Sequence, residues 1–123
     1  MPRVVHFEIC ADDPERASKF YADVFGWQIS KWDGPVDYWM TATGSREQPG
    51  IDGGIMRRES PTMPGVINTI DVASVDAMVE QIVAHGGSVA MPKIAVPGVG
   101  YMAYCLDTEG NMFSVMEEDL SAV

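Results

Sequence analysis

Polar and apolar positions alternate over Arg3–Cys10, a stretch rich in Val, Ile and Phe, and this alternation predicts a β-strand. Asp13 and Pro14 predict the start of a helix, because an Asp side chain can accept from free backbone N–H groups and Pro needs no donor at the first helical position. An apolar stripe carries the helix to Phe25, and Gly26 ends it. We expect this stripe to cover a sheet. The stripe consists of Ala17, Phe20, Tyr21, Val24 and Phe25. After the helix, three strands are predicted at Trp27–Trp32, Tyr38–Thr43 and Gly53–Arg57.

The same order of elements returns in the second half of the chain. A strand at Val66–Val72 precedes Ser74, a helix cap, and a helix from Val75 to about His85 that Gly86 and Gly87 stop. An offset of about 61 residues superposes Gly26 on Gly87. The helix face is predicted as Val75, Met78, Val79 and Ile82, and the last strands as Ser88–Met91, Tyr101–Leu106 and Asn111–Met116.

This repeat predicts an α+β fold made of tandem βαβββ modules. We expect one domain over residues 1–123, with module one at 1–59, a Pro-rich linker at 60–65 and module two at 66–123. A ferredoxin-like sandwich is the alternative. It is disfavoured because three strands, rather than one or two, follow each predicted helix.

Composition restricts the partners. Hydrophobic residues make up 46% of the chain and charged residues 21%, which is typical of a globular protein. Eight Lys and Arg against eighteen Asp and Glu give a net charge of -10, so neither nucleic acid nor an anionic membrane surface is an expected partner.

Cys10 and Cys105 lie in apolar stretches, which indicates buried thiols in a reducing compartment. No apolar run approaches the roughly 20 residues of a bilayer span, and Met1–Cys10 lacks the pattern of a leader. We therefore expect a cytoplasmic protein.

Several segments together resemble one known family. The segments are Val5–Ile9, Asp13–Ala17, Phe20–Tyr21 ahead of Phe25–Trp27, and the turn Asp107–Asn111. They resemble the vicinal oxygen chelate superfamily, which includes glyoxalase I, the bleomycin-resistance proteins and the extradiol dioxygenases. The resemblance covers nearly the whole chain. It implies two βαβββ modules that form a half-barrel cup, a homodimer, and a divalent metal held at the first and last strand of each module.

The metal ligands that the resemblance implies are largely missing from this sequence. His6 occupies the first-strand position of module one, but Ile67 occupies that of module two and Ser114 stands where the family has Glu. Gly53–Met56 offers neither a carboxylate nor an imidazole. Because an open metal site normally keeps about three protein ligands, we predict no metal and no other cofactor. A shifted register would instead offer Asn68, Glu117, Asp52 or Glu59.

Strand parity selects the side chains that face the predicted cup. With Phe7 and Ile9 under the first helix, His6 and Glu8 point to the other side of the strand. We predict His6 and Glu8 as catalytic candidates, since imidazole titrates close to neutral pH and a carboxylate can raise its basicity. The alternatives are an imidazole that merely bonds a neighbour and a solvated carboxylate. The predicted ligand-binding residues are His6, Thr69, Met112, Ser114, Met116 and Tyr101.

These features favour a protein that binds a small, partly apolar or aromatic molecule in the cup without a catalytic metal. The first alternative is a metal-dependent lyase, isomerase or dioxygenase of the glyoxalase type. The second is a metal-free enzyme that uses His6 and Glu8 as an acid–base pair. No Ser-His-Asp order, phosphate-binding Gly loop or HExxH helix supports a hydrolase, a nucleotide-dependent enzyme or a metalloprotease.

Overall fold

The computed structural model describes residues 1–123 and contains eight strands and two helices in a mixed α+β arrangement. Two successive βαβββ series follow each other along the chain, as the repeat predicted. The elements are β1 Val4–Ala11, α1 Pro14–Phe25, β2 Gln28–Lys31, β3 Tyr38–Ala42, β4 Asp52–Arg57, β5 Val66–Asp71, α2 Val75–Ala84, β6 Ser88–Val96, β7 Gly100–Leu106 and β8 Met112–Glu118.

The contacts divide the chain into two compact units. The N-unit comprises His6–Ile67, and the C-unit comprises Met1–Val5 together with Asn68–Val123. In the N-unit β1 pairs with β4 in parallel, and β3 joins β4 and β2 as antiparallel neighbours. In the C-unit β5 and β8 are parallel, and β7 joins β8 and β6 as antiparallel neighbours. Each unit therefore has the same strand pairing, while the module boundaries and the linker at 60–65 stay a prediction.

Helix α1 has the predicted limits, but only part of its predicted apolar face is packed. The Asp13 side chain accepts from the Arg16 N–H at 3.1 Å, and Gly26 ends the helix at a φ of 75°. Tyr21 stacks on Trp27, with ring centroids 5.1 Å apart, and Trp27 in turn contacts Phe7 of β1. The expectation that the whole stripe covers a sheet is wrong, because the apolar face of α1 is wider than the surface that packs against the strands. The side chains of Phe20, Val24 and Phe25 are more than half exposed.

Helix α2 packs as its apolar spacing predicted. Ser74 caps it by accepting from the Ala77 N–H at 3.1 Å, and the Glu117 carboxylate accepts from the Val75 N–H at 2.9 Å. The buried core of the C-unit lies under this helix. Its fully buried members are Val75, Ala103, Cys105 and Val115, with Val72, Ile70, Met78, Val79, Ile82, Tyr101 and Phe113 around them. His85 ends the helix, and its ring Nδ1 bonds the Gln81 carbonyl at 2.9 Å.

Strand β6 is longer than the sequence predicted. It runs to Val96 and not to Met91, with register shifts between Val89 and Met91 and between Met91 and Ile94. Pro92 lies inside this irregular stretch. Proline is tolerated in a strand at an edge or a bulge, where no ladder bond needs its missing N–H.

The predicted Asp107–Asn111 turn is held by one carboxylate. Asp107 accepts from the backbone N–H groups of Glu109 at 2.8 Å and Asn111 at 2.9 Å, and these bonds lower the pKa of the Asp107 carboxyl.

The two helices are short. Helix α1 has 12 residues and α2 has 10, and neither is long and apolar enough to cross a bilayer.

Replacing the α1 cap should destabilise the N-unit. We expect Asp13→Ala to lower the free energy of unfolding by about 1 kcal/mol, since an orphan N–H of the first turn loses its acceptor. Urea denaturation measures this change. Asp33→Ala, which removes an exposed carboxylate from a loop of the same unit, is the control and should change stability by less than about 0.5 kcal/mol. Equal losses in the two variants would contradict the capping role.

Candidate functional site

One face of the N-unit sheet gathers the polar and titratable side chains. The parallel register sets His6 opposite Asp52, Glu8 opposite Gly54 and Cys10 opposite Met56. Directly paired residues point to the same side of a sheet, so these side chains share one surface. Phe7 points to the other side, toward Trp27. We call this surface the His6 face; its side chains are His6, Glu8, Cys10, Tyr38, Met40, Asp52 and Met56.

The central contact of the His6 face is a hydrogen bond between His6 Nε2 and the Tyr38 hydroxyl, 2.6 Å long and half-buried. Tyr38 reaches His6 by lying across Gly54 of the intervening strand. A Cβ at Gly54 would overlap the Tyr38 ring and its hydroxyl. Trp32 contacts the same ring edge-on, with centroids 6.4 Å apart. The absence of a side chain at position 54 is therefore what allows the bond to form.

Sequence reasoning identified His6 but missed Tyr38 as its partner. The two residues are 32 positions apart, and their contact depends on the order β3, β4, β1 within the sheet. One signal was available. A glycine inside a strand often marks a close approach of another group, and Gly53–Gly54 lies within β4.

Burial sets the protonation state of His6. Desolvation lowers its pKa from the ordinary 6.5, although the negative charges of Glu8 and Asp52 act to raise it. The ring is therefore neutral at pH 7. A neutral imidazole has one donor nitrogen and one acceptor nitrogen, so His6 with Tyr38 can hold a polar group or exchange a proton with it.

Glu8 is buried rather than solvated. Only 6% of it is exposed, so the alternative of a carboxylate at an open mouth is wrong. Its neighbour Cys10 is buried as well, and burial together with the Glu8 charge raises the pKa of the Cys10 thiol. The thiol is thus protonated at neutral pH and is a poor nucleophile.

In the C-unit, two predicted ligand-binding residues bond each other. The Thr69 and Ser114 hydroxyls lie 2.7 Å apart in directly paired positions of β5 and β8. Both residues are buried, and Ser114 is 0% exposed. The pair therefore satisfies its own polar groups within the sheet and presents no free hydroxyl surface. Met112 and Met116 alternate with the core residues Phe113 and Val115 and are half-buried.

Tyr101 lies on the opposite side of the C-unit sheet from Ser114. Its ring packs against the core under α2, and the Lys93 ammonium lies 4.9 Å from the ring centroid. Strand parity explains the difference, since Tyr104 rather than Tyr101 pairs with Ser114. Tyr101 is therefore a packing residue, and the prediction that it binds ligand beside Ser114 is corrected.

The residues at the family's metal positions do not fit a divalent ion. Ile67 is fully buried and has no lone pair, and the Ser114 hydroxyl is bonded to Thr69. No three His, Cys, Asp or Glu side chains are arranged to hold a metal. Two of the alternative donors are also engaged elsewhere, since Glu117 accepts from the Val75 N–H and Asp52 from the Thr43 N–H.

Comparison with known sequences gives the family. The family model of the Glyoxalase/Bleomycin resistance protein/Dioxygenase superfamily matches residues 3–115. The chain belongs to this superfamily, as the resemblance predicted. The "Glyoxylase-like domain-containing protein" of Didymella fabae is 30% identical over 112 residues, 88% of each chain. CFP32 of Mycobacterium bovis is 33% identical over 106 residues, which cover 80% of this chain but only 39% of that relative.

Comparison with solved structures supports the fold. Methylmalonyl-CoA epimerase from Mycobacterium tuberculosis has a TM-score of 0.71 at 15% identity, covering 94% of this chain and 87% of the other. A glyoxalase/bleomycin resistance protein/dioxygenase superfamily member from Vibrio splendidus has a TM-score of 0.66 at 19% identity, covering 96% and 100%. At these identities the likeness is one of fold.

Filling the space above Gly54 should break the His6–Tyr38 bond. We expect Gly54→Ala to lower the free energy of unfolding by about 1–3 kcal/mol, the usual cost of overpacking, and to remove NMR contacts between the two rings. Gly65→Ala is the control, because a Cβ there meets no atom within 4 Å. A Gly54→Ala variant that keeps both stability and ring contacts would show that Tyr38 does not need the gap.

The titration of His6 should follow its surroundings. Histidine NMR titration, with the signals assigned through His85→Ala, should give His6 a pKa below 6.5. Glu8→Gln and Asp52→Asn should each lower the pKa further, because each removes a charge that favours the protonated ring. Asp33→Asn should leave it unchanged.

The same shift makes stability depend on pH. Because folding keeps His6 neutral, the unfolded chain takes up its proton first as the pH falls below 6.5. The contribution of His6 is therefore fully present above pH 6.5 and is lost as the pH falls through the lower folded pKa. Denaturant unfolding across this range should show a smaller slope in His6→Gln, and an unchanged slope would contradict the burial argument.

Proposed function

We propose that this chain binds a small, partly apolar or aromatic molecule on the His6 face, without a catalytic metal. The observation that carries the proposal is the half-buried His6–Tyr38 hydrogen bond, which holds a neutral imidazole and a phenol on one sheet surface. Such a pair presents both donor and acceptor capacity to a carbonyl, hydroxyl or amide of a ligand.

The groups around this pair supply apolar contact. Met40 is 49% exposed and lies on the His6 face, with the half-buried Met56 and Trp32 beside Tyr38. Methionine adapts to irregular apolar shapes, and an indole ring offers a large flat area. A few fixed polar groups within an apolar and aromatic lining are typical of small-molecule sites.

The comparison structures show that this fold can hold a ligand, and they do not identify the ligand of this chain. Methylmalonyl-CoA epimerase, which has the same fold, is known in complex with methylmalonyl-CoA. One fold hosts many chemistries, so the ligand of this chain has to follow from its own residues. His6 and Glu8 are proposed as the groups of any remaining proton-transfer activity, because Glu8 lies buried beside a neutral His6.

The absence of a metal is part of this proposal. It is supported by the donors themselves, since the Ile67 side chain has no lone pair, the Ser114 hydroxyl is bonded to Thr69, and Glu117 caps α2. The metal-dependent glyoxalase or dioxygenase alternative would need these positions to supply ligands. The homodimer and the cytoplasmic location stay predictions.

Binding can be tested with neutral aromatic amides. Benzamide and the larger 2-naphthamide should perturb the NMR signals of His6, with tighter binding for the larger ring because it buries more apolar area. Tyr38→Phe should weaken binding several-fold, the worth of one hydrogen bond. His6→Gln should weaken it about tenfold, and the control His85→Ala should leave it unchanged.

Metal dependence is measured in the same experiment. EDTA should not alter amide binding, and protein purified without chelator should contain no stoichiometric metal. Absence of His6 perturbation by either amide would contradict binding at this face. Loss of binding in EDTA, or a stoichiometric divalent metal, would contradict the metal-free site.

A further inference from the structure

The loop between β3 and β4 encloses a polar cleft of about 430 Å³ at one end of the N-unit sheet. No feature of the sequence drew attention to it. Its lining is made of residues from this one connection: Thr43, Gly44, Ser45, Arg46, Gln48, Pro49, Gly50 and Asp52.

The loop is held closed by its own hydrogen bonds. The Thr43 hydroxyl donates to the Ile51 carbonyl at 2.7 Å, and the Gln48 N–H donates to the Ser45 carbonyl at 3.1 Å. The Asp52 carboxylate, which also lines the cleft, accepts from the Thr43 N–H at 2.9 Å. These bonds hold the loop backbone in place, so a ligand would need little further ordering of the loop.

Arg46 is the cation of this cleft. Lys19, Lys31 and Arg58 of the N-unit are each paired with an Asp, whereas the Arg46 guanidinium forms no ion pair and has its donors available. A guanidinium presents five N–H donors in a planar fork that matches a carboxylate or phosphate. The Asp52 carboxylate also lines the cleft, and its Oδ1 is already used by Thr43.

The cleft adjoins the His6 face through Asp52. Asp52 lies directly opposite His6 in the parallel pairing, and paired strands are about 4.8 Å apart. The loop leaves β3 after Ala42 and enters β4 at Asp52, at the end of β4 where His6 is paired. A molecule whose body lies against His6 and Tyr38 can therefore place its end in the cleft.

We infer that the ligand of the His6 face carries an anionic group, a carboxylate or a phosphate, which Arg46 binds in the cleft of the β3–β4 loop. This inference rests on the proposed function. It adds to that function the negative charge of the ligand, and it assigns Arg46 as the residue that selects for this charge. The net charge of -10 disfavours anions elsewhere on the protein, so retention of an anion needs a local donor such as Arg46.

The test compares two probes of nearly the same shape and different charge, benzoate and benzamide. Calorimetric or NMR titration at low salt should show benzoate binding about tenfold more tightly than benzamide, the effect expected of a charge-assisted bond. In Arg46→Gln the two affinities should become equal through loss of benzoate affinity alone. Arg46→Lys should keep part of the preference, because it keeps the charge but not the fork.

The control is Arg16→Gln, which makes the same change of net charge at an exposed position of α1. It should preserve the benzoate preference. Equal binding of the two probes to the unaltered chain, or a preference that survives in Arg46→Gln, would overturn the inference and leave the proposed function standing. Failure of both probes to bind would overturn the proposed function and the inference with it. Phenyl phosphate, titrated in parallel, distinguishes phosphate from carboxylate selectivity.

Discussion

The missing side chain at Gly54 is the constraint on which the candidate site depends. Strand β4 lies between β3 and β1, and any Cβ at this position would occupy the path of the Tyr38 ring. With the path open, the phenol crosses the strand and bonds His6. The ring of His6 is then held half-buried, where desolvation outweighs two neighbouring carboxylates and keeps it neutral. The absence of a side chain at Gly54 thus determines the protonation state of His6.

Local patterns in the sequence were sufficient for the helices and for the faces of β1. Asp13 with Gly26, and Ser74 with the stop at His85, mark the helix ends because caps act on neighbouring backbone groups. The alternation of β1 placed His6 and Glu8 on one side. What the patterns could not supply is which strands lie side by side. The His6–Tyr38 bond and the Arg46 cleft both depend on strand pairing and loop conformation, which residue spacing does not encode.

The predictions that were wrong came from local patterns that tertiary packing overrides. The α1 stripe is wider than the surface it covers, so Phe20 and Val24 remain exposed despite their spacing. Strand β6 was predicted to end at Met91, but it continues through Pro92 to Val96, because register shifts around that residue remove the need for its N–H. Tyr101 was predicted to bind ligand together with Ser114, whereas strand parity puts its ring into the α2 core.

Each unit also contains one buried, protonated thiol, Cys10 in the N-unit and Cys105 in the C-unit, and burial raises the pKa of both. Such a sulfur can react with an alkylating reagent only after its surroundings open and it meets solvent. The rate at which each cysteine is modified therefore reports how often its unit opens locally. Their modification rates, followed separately by peptide mass, would reveal whether the halves of this duplicated fold unravel together or one before the other.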